Sequence, residues 1–127
     1  MNRQELAVEY KHSQNNCCQA VLLAFADVLD LDKTTLRQLG AGFGVGMGCM
    51  EATCGALIGA QIALGLKCYD GLPILGEAKK FHGKFRELCQ STYCRELKGL
   101  DTGVVLCDCD DCVRNAVKLV EERFPEL

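Results

Sequence analysis

An all-α fold is predicted for this chain of 127 residues, a compact bundle of about five to six helices with a glycine-rich loop. Apolar residues recur at three- and four-residue spacing along most of the sequence, and no run alternates with period two. Only Val104-Val105-Leu106 has strand character, and it is too short to build a sheet. The length corresponds to about one domain, so residues 1–127 are expected to form a single helical, cysteine-rich unit.

The elements follow in order. Leu6, Ala7 and Tyr10 share one face of a first helix, which runs out in the small polar stretch Ser13 to Asn16. A second helix starts there. Cys17, Val21, Ala24 and Val28 form one stripe and Cys18, Leu22, Phe25 and Leu29 the adjacent one, so both cysteines are expected to face inward. Asp32 suits the N-cap of a third helix carrying Leu36 and Leu39 and ending at Gly40. The loop GAGFGVGMG then follows. It lacks the closing Lys-Ser/Thr of a phosphate loop and comes after a helix rather than a strand, so nucleotide binding is set aside. Its glycines are read as permitting tight turns and close approach beside Cys49 and Cys54.

Gly55, Gly59 and Ala63, spaced by four, make a smooth strip on the next helix, which should be central. Cys54 lies at its start, where free amides and the positive end of the macrodipole favour a thiolate, whether nucleophile or ligand. Asp70-Gly71 makes a turn and Pro73 suits a helix start, giving a fifth helix from about Ile74 to Leu88. Leu75, Ala78, Phe81, Phe85 and Leu88 mark its apolar face, opposite Lys79, Lys80, Lys84 and Arg86, a solvated side that also includes His82. The last helix, from about Asp110 to Phe124, buries Val113, Ala116, Val117, Val120 and Phe124, and Cys109 and Cys112 extend that face backward. The helix ends that carry cysteines are expected to gather near one end of the core.

Ten cysteines dominate the composition. Such density suits a disulfide scaffold in a secreted chain, yet the stretch MNRQELAVEYKHSQNN is charged and polar and has no signal-peptide character. Ala52 to Leu66 is shorter than the ~20 residues of a membrane helix and contains Thr53 and Gln61, so no membrane span is expected. The expected location is the cytoplasm, where thiols stay reduced and clustered cysteines indicate metal binding or redox chemistry. With 49% hydrophobic residues the chain can bury a core without cross-links. A net charge of -3 without a basic stripe excludes nucleic acid as a partner.

Three chemistries remain open from the residues themselves. Cys109-Asp-Asp-Cys112 has the spacing of a thiol-disulfide pair, but Asp108, Asp110 and Asp111 disfavour its thiolates unless a cation is bound. Structural zinc usually takes two short cysteine pairs and only one is present, so zinc ranks second to iron. Iron-sulfur clusters tolerate varied spacing and suit cysteines at the mouths of several helices. A c-type haem is excluded, since Val113 follows Cys112 where a histidine is needed. His12 in its polar segment is read as solvated rather than as a ligand.

The segment Asn16-Cys17-Cys18-Gln19-Ala20-Val21, the glycine-rich run Gly42 to Gly48, Thr53-Cys54-Gly55-Ala56-Leu57-Ile58-Gly59-Ala60, Cys94-Arg95-Glu96-Leu97 and Cys112 together resemble a known family. These are the small redox-active proteins named for a C, GCAxxG, C, C cysteine pattern. The resemblance covers about Asn15 to Val120. Its central order here is C-G-A rather than G-C-A, and Gly48-Cys49 offers a second match, which makes Cys49 a competitor of Cys54. A similar domain in certain cytochromes is associated with an iron-sulfur cluster. The resemblance therefore implies that Cys17, Cys54, Cys94 and Cys112 ligate such a cluster for electron transfer with a redox partner protein, with Cys49 and Cys109 as secondary candidates. One alternative is a thiol-disulfide oxidoreductase in which Cys54 attacks and Cys49 or Cys94 resolves. The other is a zinc-stabilised structural or interaction module. Cys18, Cys49, Cys68, Cys89, Cys107 and Cys109 exceed the family pattern, Cys68 being the expected bystander; the reading leaves room for a homodimer.

Overall fold

In a computed structural model, which describes residues 1–127, the chain folds entirely into helices joined by short connections. They are α1 (Arg3–Lys11), α2 (Cys17–Ala24), α3 (Lys33–Gly40), α4 (Gly55–Cys68), α5 (Leu75–Cys89), the single turn α6 (Cys94–Leu97) and α7 (Cys109–Arg123). The six longer helices meet the expected number, and α6 and a short helical turn at Gly46–Met50 within the glycine-rich loop are the additions. No helix is long and apolar enough to cross a membrane.

Caps set the helix starts. Asn2, Asp32 and Asp108 each accept a backbone N–H three residues on, and Asn16 forms a reciprocal capping box with Gln19 at the head of α2. Asn16 also reaches across space, donating its Nδ2 to the carbonyls of Gly40 at 3.0 Å and Ala41 at 3.3 Å. The start of α2 is thereby tied to the start of the glycine-rich loop. Asn16→Ala removes a cap and these two bonds together and is expected to lower stability by about 2 kcal/mol, read as a lower urea midpoint at unchanged slope.

α4 lies at the centre, packed against α2, α5 and α7, while α1 covers α2 and α7. A Cβ on Gly59 would stand 2.9 Å from the Cys18 carbonyl oxygen and 3.0 Å from Val21 Cβ, so the bare backbone is what lets α2 and α4 approach this closely. Phe25, Phe85, Leu22, Leu57, Leu64, Val113 and Val117 fill the core around this contact.

Several boundaries differ from the sequence expectation. α2 ends at Ala24, and tight turns carry Phe25 and Leu29 into the core. α5 begins at Leu75 with Ile74 as its cap, leaving Pro73 outside, and its buried stripe is Phe81, Phe85 and Cys89. Leu75 and Leu88, expected on that stripe, are exposed, as is Leu39 on α3. The stripe follows the residues that meet α4 and α7, and the helix ends overhang them. Lys79, Lys80, Lys84 and Arg86 are solvated as expected, whereas His82 is half-buried.

Candidate functional site

Four helix starts bring the cysteines together. Cys17 is the first residue of α2, Cys54 caps α4, Cys94 opens α6, and Cys112 lies in the first turn of α7. The four sequence-predicted residues line one cavity of about 210 Å³, joined there by Cys107 and Cys109. Val45, Gly55 and Leu97 contribute apolar or backbone wall, Lys11 and Lys98 contribute positive charge, and the lining contains no carboxylate.

Two backbone devices place these cysteines. Cys54 N–H donates to the Thr92 carbonyl at 2.7 Å and Cys94 N–H to the Ala52 carbonyl at 3.1 Å, an isolated antiparallel pairing of Thr53 with Tyr93. That pairing sets Cys54 and Cys94 side by side although they are far apart in sequence.

The glycine-rich loop is the second device. Val45, Gly46, Met47 and Gly48 all have positive φ, and for a β-branched valine at φ 55° this is a strained conformation. It turns the Val45 N–H toward the Cys17 sulfur, a weak approach rather than a formed hydrogen bond. Strain of this kind costs about 1–3 kcal/mol, more than such an approach returns, so the loop needs its other anchors. The Asn16 bonds supply them, together with contacts so close that a Cβ on Gly44 would collide with the Asn16 side chain and one on Gly46 would stand 2.7 Å from Cys94 Cβ.

The protons are unevenly shared. The neighbouring Cys112 and Cys17 side chains, against the opposing effect of burial, hold the Cys54 thiol well below the usual thiol range, helped by the Ala56 and Leu57 amides of the first turn. The neighbouring Cys54 sulfur and burial raise Cys17 and Cys112, and the single thiol proton of Cys112 is donated to the Cys107 carbonyl at 3.6 Å. Cys89 is lowered to about 7, chiefly by the neighbouring Cys112 side chain and further by Asn115 and Cys107. Burial and its bond to Cys89 push Cys107 up to about 12; burial alone dominates the rise of Cys94 and of Cys18, the latter to about 12. Five neighbouring sulfurs thus run in series, Cys17 to Cys54 to Cys112 to Cys89 to Cys107, with Cys54 and Cys89 lowered and the other three raised.

At the cavity wall, Cys107 and Cys112 together with Cys89 behind them hold their sulfurs within 4.8 Å of one another, a group able to bind a metal ion. The sequence reading left Cys89 and Cys107 without a role. A signal for Cys89 was present, since it stands four residues after Phe85 on the buried stripe of α5; Cys107 sits in an irregular loop and had none.

The remaining cysteines fall outside this series. Cys109, a secondary candidate, lines the cavity, but Cys49 is exposed and donates its thiol to the Gly46 carbonyl at 3.6 Å. Cys18 is buried between α2 and α4, and Cys68 ends α4 with Arg123 Nη2 donating to its sulfur at 3.5 Å. His12 is exposed and meets Asp110 at 3.0 Å, apart from the cavity. All ten cysteines are free.

No curated protein and no solved structure matches the chain. One family profile, described as "Putative redox-active protein (C_GCAxxG_C_C)", matches residues 15–123, which span the glycine-rich loop and every cysteine of the cavity. The chain belongs to the redox-active family defined by the C, GCAxxG, C, C cysteine pattern.

Proposed function

We propose that the cavity holds an iron-sulfur cluster on Cys17, Cys54, Cys94 and Cys112, and that the protein transfers electrons to and from a redox partner protein. The observation that carries this reading is the convergence of these four cysteines, from four separate segments, on one cavity free of carboxylates. The donor set fits such a group: sulfur ligands, apolar wall from Val45 and Leu97, and helix N-termini behind Cys17 and Cys54. A bound cluster supplies a one-electron redox couple.

The chain's own residues do the rest. The positive ends of α2 and α4, at whose starts Cys17 and Cys54 stand, disperse thiolate charge. Lys98 in the wall opposes the net negative charge of four thiolates, while Lys11 is paired with Asp110 at 3.4 Å. Val45 is both part of the wall and 44% exposed, so the group lies close to the surface where a partner docks. A cytoplasmic location, where the thiols remain reduced, is part of this proposal.

A second reading rests on a different observation, the low position of Cys54. Its thiolate would attack a substrate disulfide, displacing one sulfur as thiolate and leaving a mixed disulfide that a second cysteine resolves. The resolving thiol best placed for this is Cys112, which adjoins Cys54; Cys94 shares the cavity, and Cys49 lies outside it. Against it stands the burial of Cys54, at 6% exposure.

Iron, acid-labile sulfide and zinc per chain, with the visible spectrum, separate the readings in protein purified without oxygen. Iron and sulfide in equal amounts with sulfur-to-iron absorption are expected. Metal-free protein that traps a substrate as a mixed disulfide would overturn the cluster in favour of exchange, and zinc alone would make the site structural.

A further inference from the structure

We infer that Cys89, Cys107 and Cys112 form a second site, for a single monovalent copper ion, and that this ion and the group in the cavity exclude each other because both require Cys112. The exclusion rests on the cluster reading above; the copper site does not.

The three sulfurs come from the end of α5, the loop before α7 and the first turn of α7, all within 4.8 Å of one another. Metal–thiolate bonds near 2.3 Å place three sulfurs around a central ion at a separation of roughly 4 Å, so the group closes on an ion by small side-chain shifts. Cys89 and Cys112 are almost wholly buried, and the Asn115 amide donates to Cys89 Sγ at 3.2 Å and to Cys107 Sγ at 3.9 Å. A side-chain amide aimed at two sulfurs is the outer partner that thiolate ligands require.

The donor set selects the ion. Three sulfurs with no imidazole or carboxylate among them favour a soft d10 metal. Zinc completes four ligands, whereas this group offers three. Monovalent copper is satisfied by three. Binding releases the thiol protons to solvent and transfers no electrons.

Cys112 belongs to both places: it lines the cavity, and its sulfur lies within 4.8 Å of those of Cys89 and Cys107, with its thiol donated to the Cys107 carbonyl at 3.6 Å. Turned toward Cys89 and Cys107, it leaves the quartet with Cys17, Cys54 and Cys94, and a copper ion on Cys107 takes a further sulfur of the same wall, so that only Cys109 remains beside them. Copper would therefore release what the cavity holds.

The test is an anaerobic titration with monovalent copper delivered from a competing chelator. In metal-free chain, one copper per chain with a shell of three sulfurs in X-ray absorption is expected, unchanged in Cys17→Ser. Cys89→Ser and Cys107→Ser should each weaken binding by more than about 100-fold, beyond the loss typical of an outer partner. A shell of two or four sulfurs, or unaltered affinity in the half-buried Cys107→Ser variant, overturns the site even if Cys89→Ser fails to fold. In protein purified with iron, saturating copper should release it; iron retained beside bound copper overturns the exclusion. A chain that binds copper on three sulfurs yet carries no iron keeps the site and overturns the cavity reading together with the exclusion.

Discussion

Cys54→Ser is expected to reduce bound iron and sulfide by more than about tenfold, while Cys68→Ser retains both. Cys54 is the cavity cysteine whose thiol is held lowest, chiefly through the neighbouring Cys112 and Cys17 side chains, and it is almost wholly buried at the head of α4. Serine keeps the size and donor capacity but offers no thiolate, so a soft metal group loses a ligand at its best-prepared corner. The position also protects the fold: Cys54 is the N-cap of α4, and serine is among the preferred residues there. An unchanged unfolding midpoint with lost iron would assign the effect to ligation. Cys68, at the far end of α4 beside Arg123, has no access to the cavity. Equal loss from both substitutions would refute a four-cysteine site.

The second large effect is expected from Gly55→Ala. A Cβ at this position would stand 2.6 Å from the Cys17 sulfur and press on the Phe43 carbonyl, which is backbone of the anchored loop. Nothing there can yield cheaply, so α4 must shift from α2 and the loop. Overpacking of this kind costs about 1–3 kcal/mol, and the shift separates Cys54 from Cys17. Lower stability and lost iron should therefore appear together, in denaturant unfolding and in metal content. Gly65→Ala is the control on the same helix. Nothing lies within 4 Å of that Cβ, and the higher helix propensity of alanine should raise stability by up to about 1 kcal/mol.

The helices were legible in the sequence because burial repeats at their own period. Val113, Ala116, Val117 and Val120 mark α7, and Asn16, Asp32 and Asp108 are capping residues at the positions where helices begin. Helix ends were less legible: Leu75 and Leu88 continue the period of α5 but overhang the surface it packs on, a property of the neighbours and not of the segment. The candidate quartet came from the family pattern, since cysteine spacing alone left zinc, cluster and exchange open. What makes Cys54 and Cys94 neighbours is the pairing of Thr53 with Tyr93, and one residue pair carries no periodicity for a sequence to display. The loop bonds between Asn16 and Gly40 are hidden for the same reason.

That single pairing also bears on the order of assembly. Cys17 and Cys54 belong to the segment up to α4, Cys94 and Cys112 to the segment after it, so neither half of the chain carries a complete set. Closing the long intervening stretch has an entropic cost that local helix formation does not meet. The cavity is consequently a late product of folding, and a group inserted before the two halves meet would find at most two of its four anchors. Once they have met, whatever binds there binds the native chain alone, and by mass action its affinity is added to the stability of the contact between the halves.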